Sequence, residues 1–356
     1  MSIRMAGALE KASEKSVVAP PPPSIPSRNL DILRSIAVFI VFSAHLTLAL
    51  NGGRIQHGKV DLITFGKIGV IIFFVLTSLV LMSSMDRMRD AGLQFCGKFY
   101  IRRAFRIYPL SILTCVAVSL AHIPTNLTGS RFVWTWERFA GNVFLVQKFL
   151  GIPNLSDPLW SLSYEVGMYF FLPFIYLLLR KYPGKGALIG LLAASLILSR
   201  VGVYAPYLQF SFYAPFFVLG AVIHGLMPHR RSWFPWWTLL LAMAALTAPM
   251  ALLPMKMWSN ILFCASLGGL ILFAAECDCK FVYRPAYFIA RYSYGIYLAH
   301  CPLMWVFYRY LIDLPSWQKH LGFAVSVIVL PIVTYHCVEA PMVALGKSLT
   351  DKSKAG

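Results

Sequence analysis

The sequence predicts an all-α, polytopic integral membrane protein of about ten transmembrane helices with both termini cytoplasmic. Three observations carry that prediction. Of the 356 residues, 58% are hydrophobic and 13% are charged. The apolar residues arrive in runs of roughly 20, the length needed to cross a bilayer. The basic residues then sort by side: 19 Lys and Arg fall on one set of loops and tails and 9 on the other. Cytoplasmic loops carry the excess of Lys and Arg, so both termini are placed inside. A net charge of +18 in a soluble protein would suggest nucleic acid. Membrane topology accounts for it here, and no nucleic-acid partner is expected.

Taken in order, the expected spans are 31–50, 62–84, 104–122, 160–180, 187–203, 209–226, 233–254, 257–276, 287–310 and 319–338. Residues 1–29 form an expected disordered cytoplasmic tail, stiffened by Pro20 to Pro23 and Pro26. It holds no apolar core, so no cleaved signal peptide is expected. Residues 30–346 make the membrane domain and 347–356 a cytoplasmic C-terminal tail. One outer segment, 123–159, is long. Phe132, Trp136, Phe139, Val143, Val146 and Leu150 recur in it at helical spacing, which suggests an amphipathic interfacial or re-entrant helix, with a plain surface loop as the alternative. Asn126-Leu127-Thr128 has the spelling of a glycosylation sequon. Among the seven cysteines only Cys277-Asp278-Cys279 forms a close pair, and it lacks zinc-site spacing, so no metal is expected.

Ionisable groups inside a span are costly and mark function. The first span carries Asp31, Arg34 and His45. Arg34 and His45 are eleven positions apart, about three turns plus 20°, so they share a helix face roughly 16 Å apart along the axis. The plainer alternative is a topology charge at Arg34 and a packed histidine at His45. Arg102, Arg103 and Arg106 open the third span at i, i+3 and i+4 spacings, so one face presents three guanidiniums suited to phosphate. Simple cytoplasmic anchoring is the alternative there. Glu165, in Trp160-Ser161-Leu162-Ser163-Tyr164-Glu165, lies at a depth similar to His45, with Ser161 and Tyr169 on its face. A carboxylate near a histidine can orient it and raise its basicity. His300 is expected in the outer half of the ninth span, as an interhelical hydrogen-bonder or a substrate contact, and Glu339 at the inner end of the tenth as an arginine partner.

Together these motifs resemble the acyltransferase-3 family over about residues 28–347. Asp31, Arg34 and His45 fit its opening signature. Gly66-Lys67-Ile68-Gly69-Val70-Ile71-Ile72-Phe73-Phe74-Val75-Leu76-Thr77-Ser78 fits its Gly-x-x-Gly-Val stretch, departing at Ile71 and Thr77-Ser78. Arg102, Arg103, Arg106 and Pro109 fit the double-arginine run, and Trp160, Ser161, Leu162 and Glu165 the Trp-Ser-Leu element. Ser293, Tyr294, Tyr297, Leu298, His300 and Pro302, then Glu339 and Pro341, fit the closing elements.

The resemblance implies a membrane O-acyltransferase in the bacterial cytoplasmic membrane. It would move an acyl group, most often acetyl, from cytoplasmic acyl-CoA to a hydroxyl of an extracytoplasmic carbohydrate or glycolipid. On that expectation Arg102, Arg103 and Arg106 hold the donor's phosphates. Arg34 and Asp31 belong to the catalytic helix, and His45 acts as general base or transient acyl carrier. Glu165 orients His45 or binds acceptor hydroxyls, while Trp160, Tyr169 and His300 contact substrate. Membrane lipids are the other expected partner; oligomeric state is left open. The competing class is a proton-coupled transporter or channel using the same buried ionisable residues. No repeated half and no matching pair of broken helices favours it.

Overall fold

The structure is a computed structural model that describes residues 27–88, 92–125, 127, 132–252 and 257–352. Each expected span has a helix. They are α1 (Arg28–Leu50), α2 (Leu62–Asp86), α3 (Gly92–Leu120), α5 (Leu159–Lys181), α6 (Lys185–Tyr204), α7 (Ala214–Leu226), α8 (Trp237–Leu252), α9 (Met257–Phe273), α10 (Lys280–Trp305) and α11 (Ser316–Thr334). A short α4 (Trp136–Val143) precedes α5, and α12 (Ala340–Lys352) follows α11 after a π-helical turn at Tyr335–Glu339. Among the described residues, seven helical segments are long and apolar enough to cross a membrane; α8 and α9 are apolar but shorter. Strand is confined to an antiparallel hairpin between α1 and α2, β1 (Gln56–His57) with β2 (Val60–Asp61).

α2 is the most buried of these spans and the hub of the bundle. It packs against α1 on one side and α7 on the other, while α10 closes on α1. Two glycines permit this approach. A Cβ on Gly69 would lie 2.5 Å from the Ala37 carbonyl oxygen and 2.7 Å from Val41 Cγ2 of α1. One on Gly220 of α7 would run into the Val75 carbonyl of α2. Small residues let membrane helices pack backbone to backbone, which gives the Gly-x-x-Gly-Val stretch a physical meaning. Gly66, one turn before Gly69, backs directly onto Ala44 and His45.

Three expectations change. α3 begins at Gly92, so the arginines sit inside a long helix rather than at its start. The terminal helix runs to Lys352, past the boundary at 346, because Arg102 bonds Thr350 Oγ1 (2.8 Å) and Asp351 (2.7 Å) at its end. The apolar stripe in the outer segment is helical only over α4. The chain leaves the helix after Val143, with Leu145 at φ +56°, and Trp136 and Leu150 of the stripe stay exposed. Buried polar side chains set that course. Asn142 donates to Pro153 O and accepts from Leu155 N, and Gln147 donates to Leu159 O. Buried Arg138 donates to the Val133 and Asn154 carbonyls. These bonds satisfy the loop backbone as burial demands. The Pro-rich tail and two of the three sequon positions lie outside the described residues.

Candidate active site

α1 joins two groups of ionisable side chains at opposite ends of the bundle. Its first turn is tied down by Ser27, which accepts from Leu30 N and donates to Glu276 (2.6 Å), and by Asn29, which donates to Ala275 O and accepts from Cys277 N. The close cysteine pair therefore belongs to the loop that anchors α1. One turn on, Arg34 faces Asp31 at 3.4 Å.

Arg34 opens into a cavity of about 310 Å³ between α1, α2, α3, α5 and α10. Arg103, Arg106, Glu165, Tyr169, Ser161 and Tyr297 line it as well. Three guanidiniums thus converge, though not the expected three. Arg106 sits between Arg102 and Arg103 in azimuth, so a cavity that takes Arg103 and Arg106 leaves Arg102 on the far flank. There it binds Thr350 and Asp351. Arg106 also pairs with Glu339, which is 1% exposed and turned inward by the π-helical turn. Arg103 makes no hydrogen bond or ion pair among the described residues.

Glu165 lies here too, within electrostatic reach of all three arginines and hydrogen-bonded by Tyr169. The expectation that it orients His45 is corrected: matching depth along two helices says nothing of azimuth, and Glu165 turns to the cations. Tyr169 goes with it, on the arginine side. Trp160 packs instead against Tyr213 (5.7 Å) and Tyr164 (6.0 Å), outside the cavity.

A polar line leads from this cavity toward His45. Ser161 Oγ and Tyr297 OH are 2.7 Å apart on its wall. The Tyr297 ring lies 5.7 Å from that of His300, and the His300 ring 5.0 Å from that of His45. His300 is 1% exposed, and its Nδ1–H donates to Tyr297 O at 2.6 Å. His300 Nε2 is thereby left to accept, from His45 Nδ1 at 3.4 Å and from the Cys301 thiol at 3.3 Å. His45 Nδ1–H donates chiefly to Val41 O at 2.9 Å. This network assigns the Nδ1–H tautomer to His45 and leaves Nε2 as its basic nitrogen. Donor atoms of His45, His300 and Cys301 lie within 4.8 Å of one another.

The carboxylate beside His45 is Asp157, whose Oδ2 is 3.8 Å from His45 Nε2. It comes from the loop before α5, where its N–H donates to Thr125 O at 2.9 Å. Burial pushes the Asp157 carboxyl above its ordinary range, and the charges of His45, Lys148 and Lys67 pull the other way. The sequence reading missed Asp157; its one signal was a lone acidic residue, followed by Pro158, just ahead of Trp160-Ser161-Leu162.

No solved structure matches the chain. Among characterised relatives, Acyltransferase MdmB of Streptomyces mycarofaciens is 30% identical over 61% of this chain and 54% of its own length. Nodulation protein 10 of Rhizobium leguminosarum bv. viciae is 26% identical over 90% of this chain and 94% of its own. Peptidoglycan O-acetyltransferase OatA of Listeria monocytogenes is 28% identical over 43% of this chain and 25% of its own. The chain thus spans about half of MdmB and a quarter of OatA. The acyltransferase-3 model, an acyltransferase domain, matches residues 27–336. The chain belongs to the acyltransferase-3 family of membrane acyltransferases.

Proposed function

We propose that this acyltransferase moves an acetyl group from cytoplasmic acetyl-CoA to a carbohydrate hydroxyl arriving from the opposite side of the membrane. The single observation carrying this reading is the polar line from the arginine cavity through Ser161, Tyr297 and His300 to His45. Arg34, Arg103 and Arg106 supply permanent positive charge where the donor's phosphates enter. The roughly 16 Å from Arg34 to His45 along α1 gives the pantetheine arm its direction and length.

At the far end, His45 Nε2 takes the acceptor's O–H proton while the oxygen attacks the thioester carbonyl carbon. The C–S bond breaks, the new C–O bond completes the ester, and the proton returns to the departing CoA thiolate. His300 and Val41 hold the imidazole in the tautomer that this requires, and Asp157 stabilises it while it is protonated. The sequence holds no repeated half and no matching pair of broken helices, which disfavours the carrier reading.

The test uses membranes containing wild type or His45→Ala with acetyl-labelled acetyl-CoA. Label enters a glycan fraction with wild type and not with the variant, while the variant inserts at normal levels. Wild-type product from His45→Ala would refute the mechanism.

A further inference from the structure

A second pocket, of about 450 Å³, lies at the hairpin end of the bundle, away from the arginine cavity. Gln56, Lys59 and Asp61 of the hairpin, Thr64 and Lys67 of α2, Phe212 and Tyr213 before α7, and Asn260 of α9 are on its wall. Its volume falls within the roughly 300–1,000 Å³ of small-molecule sites. Three features describe what fits it. Lys59 and Lys67 form no hydrogen bond or ion pair among the described residues. Asp61 shares the wall, and its Oδ1 accepts from Thr64 N as the cap of α2 (3.0 Å). The pocket therefore offers one net positive charge.

Asn260 Oδ1 is buried with no hydrogen-bond partner. Such an acceptor is costly to leave unmet, and a ligand hydroxyl is the donor that meets it. Tyr213 adds an aromatic wall that continues into Tyr164, 4.8 Å away, and Trp160. Cation, hydroxyl acceptor and aromatic face together are the complement of a sugar bearing an acidic group.

Lys67 links the pocket electrostatically to the reaction centre. It is on the pocket's wall and close enough to Asp157 for their charges to interact, and Asp157 faces His45. Gly66, the residue before Lys67, backs onto His45.

We infer that this pocket is the acceptor subsite and that it selects an anionic carbohydrate, one whose carboxylate or phosphate is held by Lys59 and Lys67 while its hydroxyls meet Asn260 and Thr64. The inference rests on the acyl-transfer reading for the pocket's role, and its binding test is independent of transfer. The full chain in nanodiscs is titrated, without donor, with a glucuronic acid–glucose disaccharide and with the methyl ester of the same sugar. The ester keeps the shape and removes the charge. Wild type is expected to bind the acid about tenfold more tightly than the ester. That ratio falls toward one in Lys59→Gln/Lys67→Gln, and in wild type at high salt, where exposed charges are screened. The salt arm needs no variant and so stands even if the double variant misfolds. Equal binding of acid and ester, no binding of either, or a preference that survives both lysine changes would overturn the inference. Label transfer from acetyl-CoA to the bound sugar, lost with His45→Ala, checks the catalytic reading separately.

Discussion

Asp157→Asn isolates the part of the site that charge alone explains. Asparagine keeps the side chain's size and its place in the loop, so Thr125, Asn142 and Gln147 still hold the backbone. What is lost is a negative charge 3.8 Å from His45 Nε2. Two unit charges at that separation interact by about 1 kcal/mol in water and about 4 kcal/mol at an effective dielectric of 20. His45 and Asp157 side chains are 21% and 33% exposed, so the value falls between those limits. We take about 2 kcal/mol, which on the barrier is a roughly 30-fold loss of kcat.

The assay is acetyl transfer in proteoliposomes at saturating acceptor with acetyl-CoA varied. The loss should appear in kcat, with the donor's KM unchanged, because Asp157 does not line the arginine cavity and acts when the imidazole is protonated. A kcat within twofold of wild type would refute the reasoning. So would an effect confined to donor KM, since Asp157 would then act by shaping the path rather than by charge.

Two further outcomes separate the arginines. Arg103→Ala should raise donor KM about tenfold or more, the scale of a charge-assisted contact, whereas Arg102→Ala, which loses only Thr350 and Asp351, should change it less than threefold; donor titration at fixed acceptor reads both. Glu339→Ala removes the buried partner of Arg106, whose own side chain is 33% exposed toward the cavity, so the chain should lose about 1–2 kcal/mol of stability, read as a lower unfolding temperature in detergent.

What the sequence made legible was whatever is decided within one helix. Span length and apolarity placed a helix in each of the ten expected spans, and seven segments among the described residues have the length and apolarity a bilayer requires. Helical geometry put Arg34 and His45 on one face of α1; in the structure Arg34 lines the arginine cavity and His45 lies against His300. What depends on azimuth between helices was not legible. Glu165 was matched to His45 by depth, yet it turns to Arg34, Arg103 and Arg106. Arg102 and Arg103 are neighbours in sequence, yet they part by about 100° and meet different partners. Asp157 was hidden for another reason. Its position depends on a loop folded by Arg138, Asn142 and Gln147, whose buried polar bonds leave no periodic trace.

The distribution of carboxylates follows from the cost of the arginines. Three guanidiniums in a largely apolar bundle need counter-charge, and Asp31, Glu165 and Glu339 provide it. The pairing is uneven. Arg106 is tightly engaged, Arg34 is 3.4 Å from Asp31, and Glu165 takes its side-chain hydrogen bond from Tyr169 rather than from an arginine. Arg103 and, in part, Arg34 therefore keep donors free, which on the proposed function would meet the donor's phosphates, while three carboxylates balance the three guanidiniums. With the helical carboxylates committed to that end, none of them serves His45. The loop before α5 supplies Asp157 instead, and a loop can bring its carboxylate to the imidazole without placing another charge inside a span.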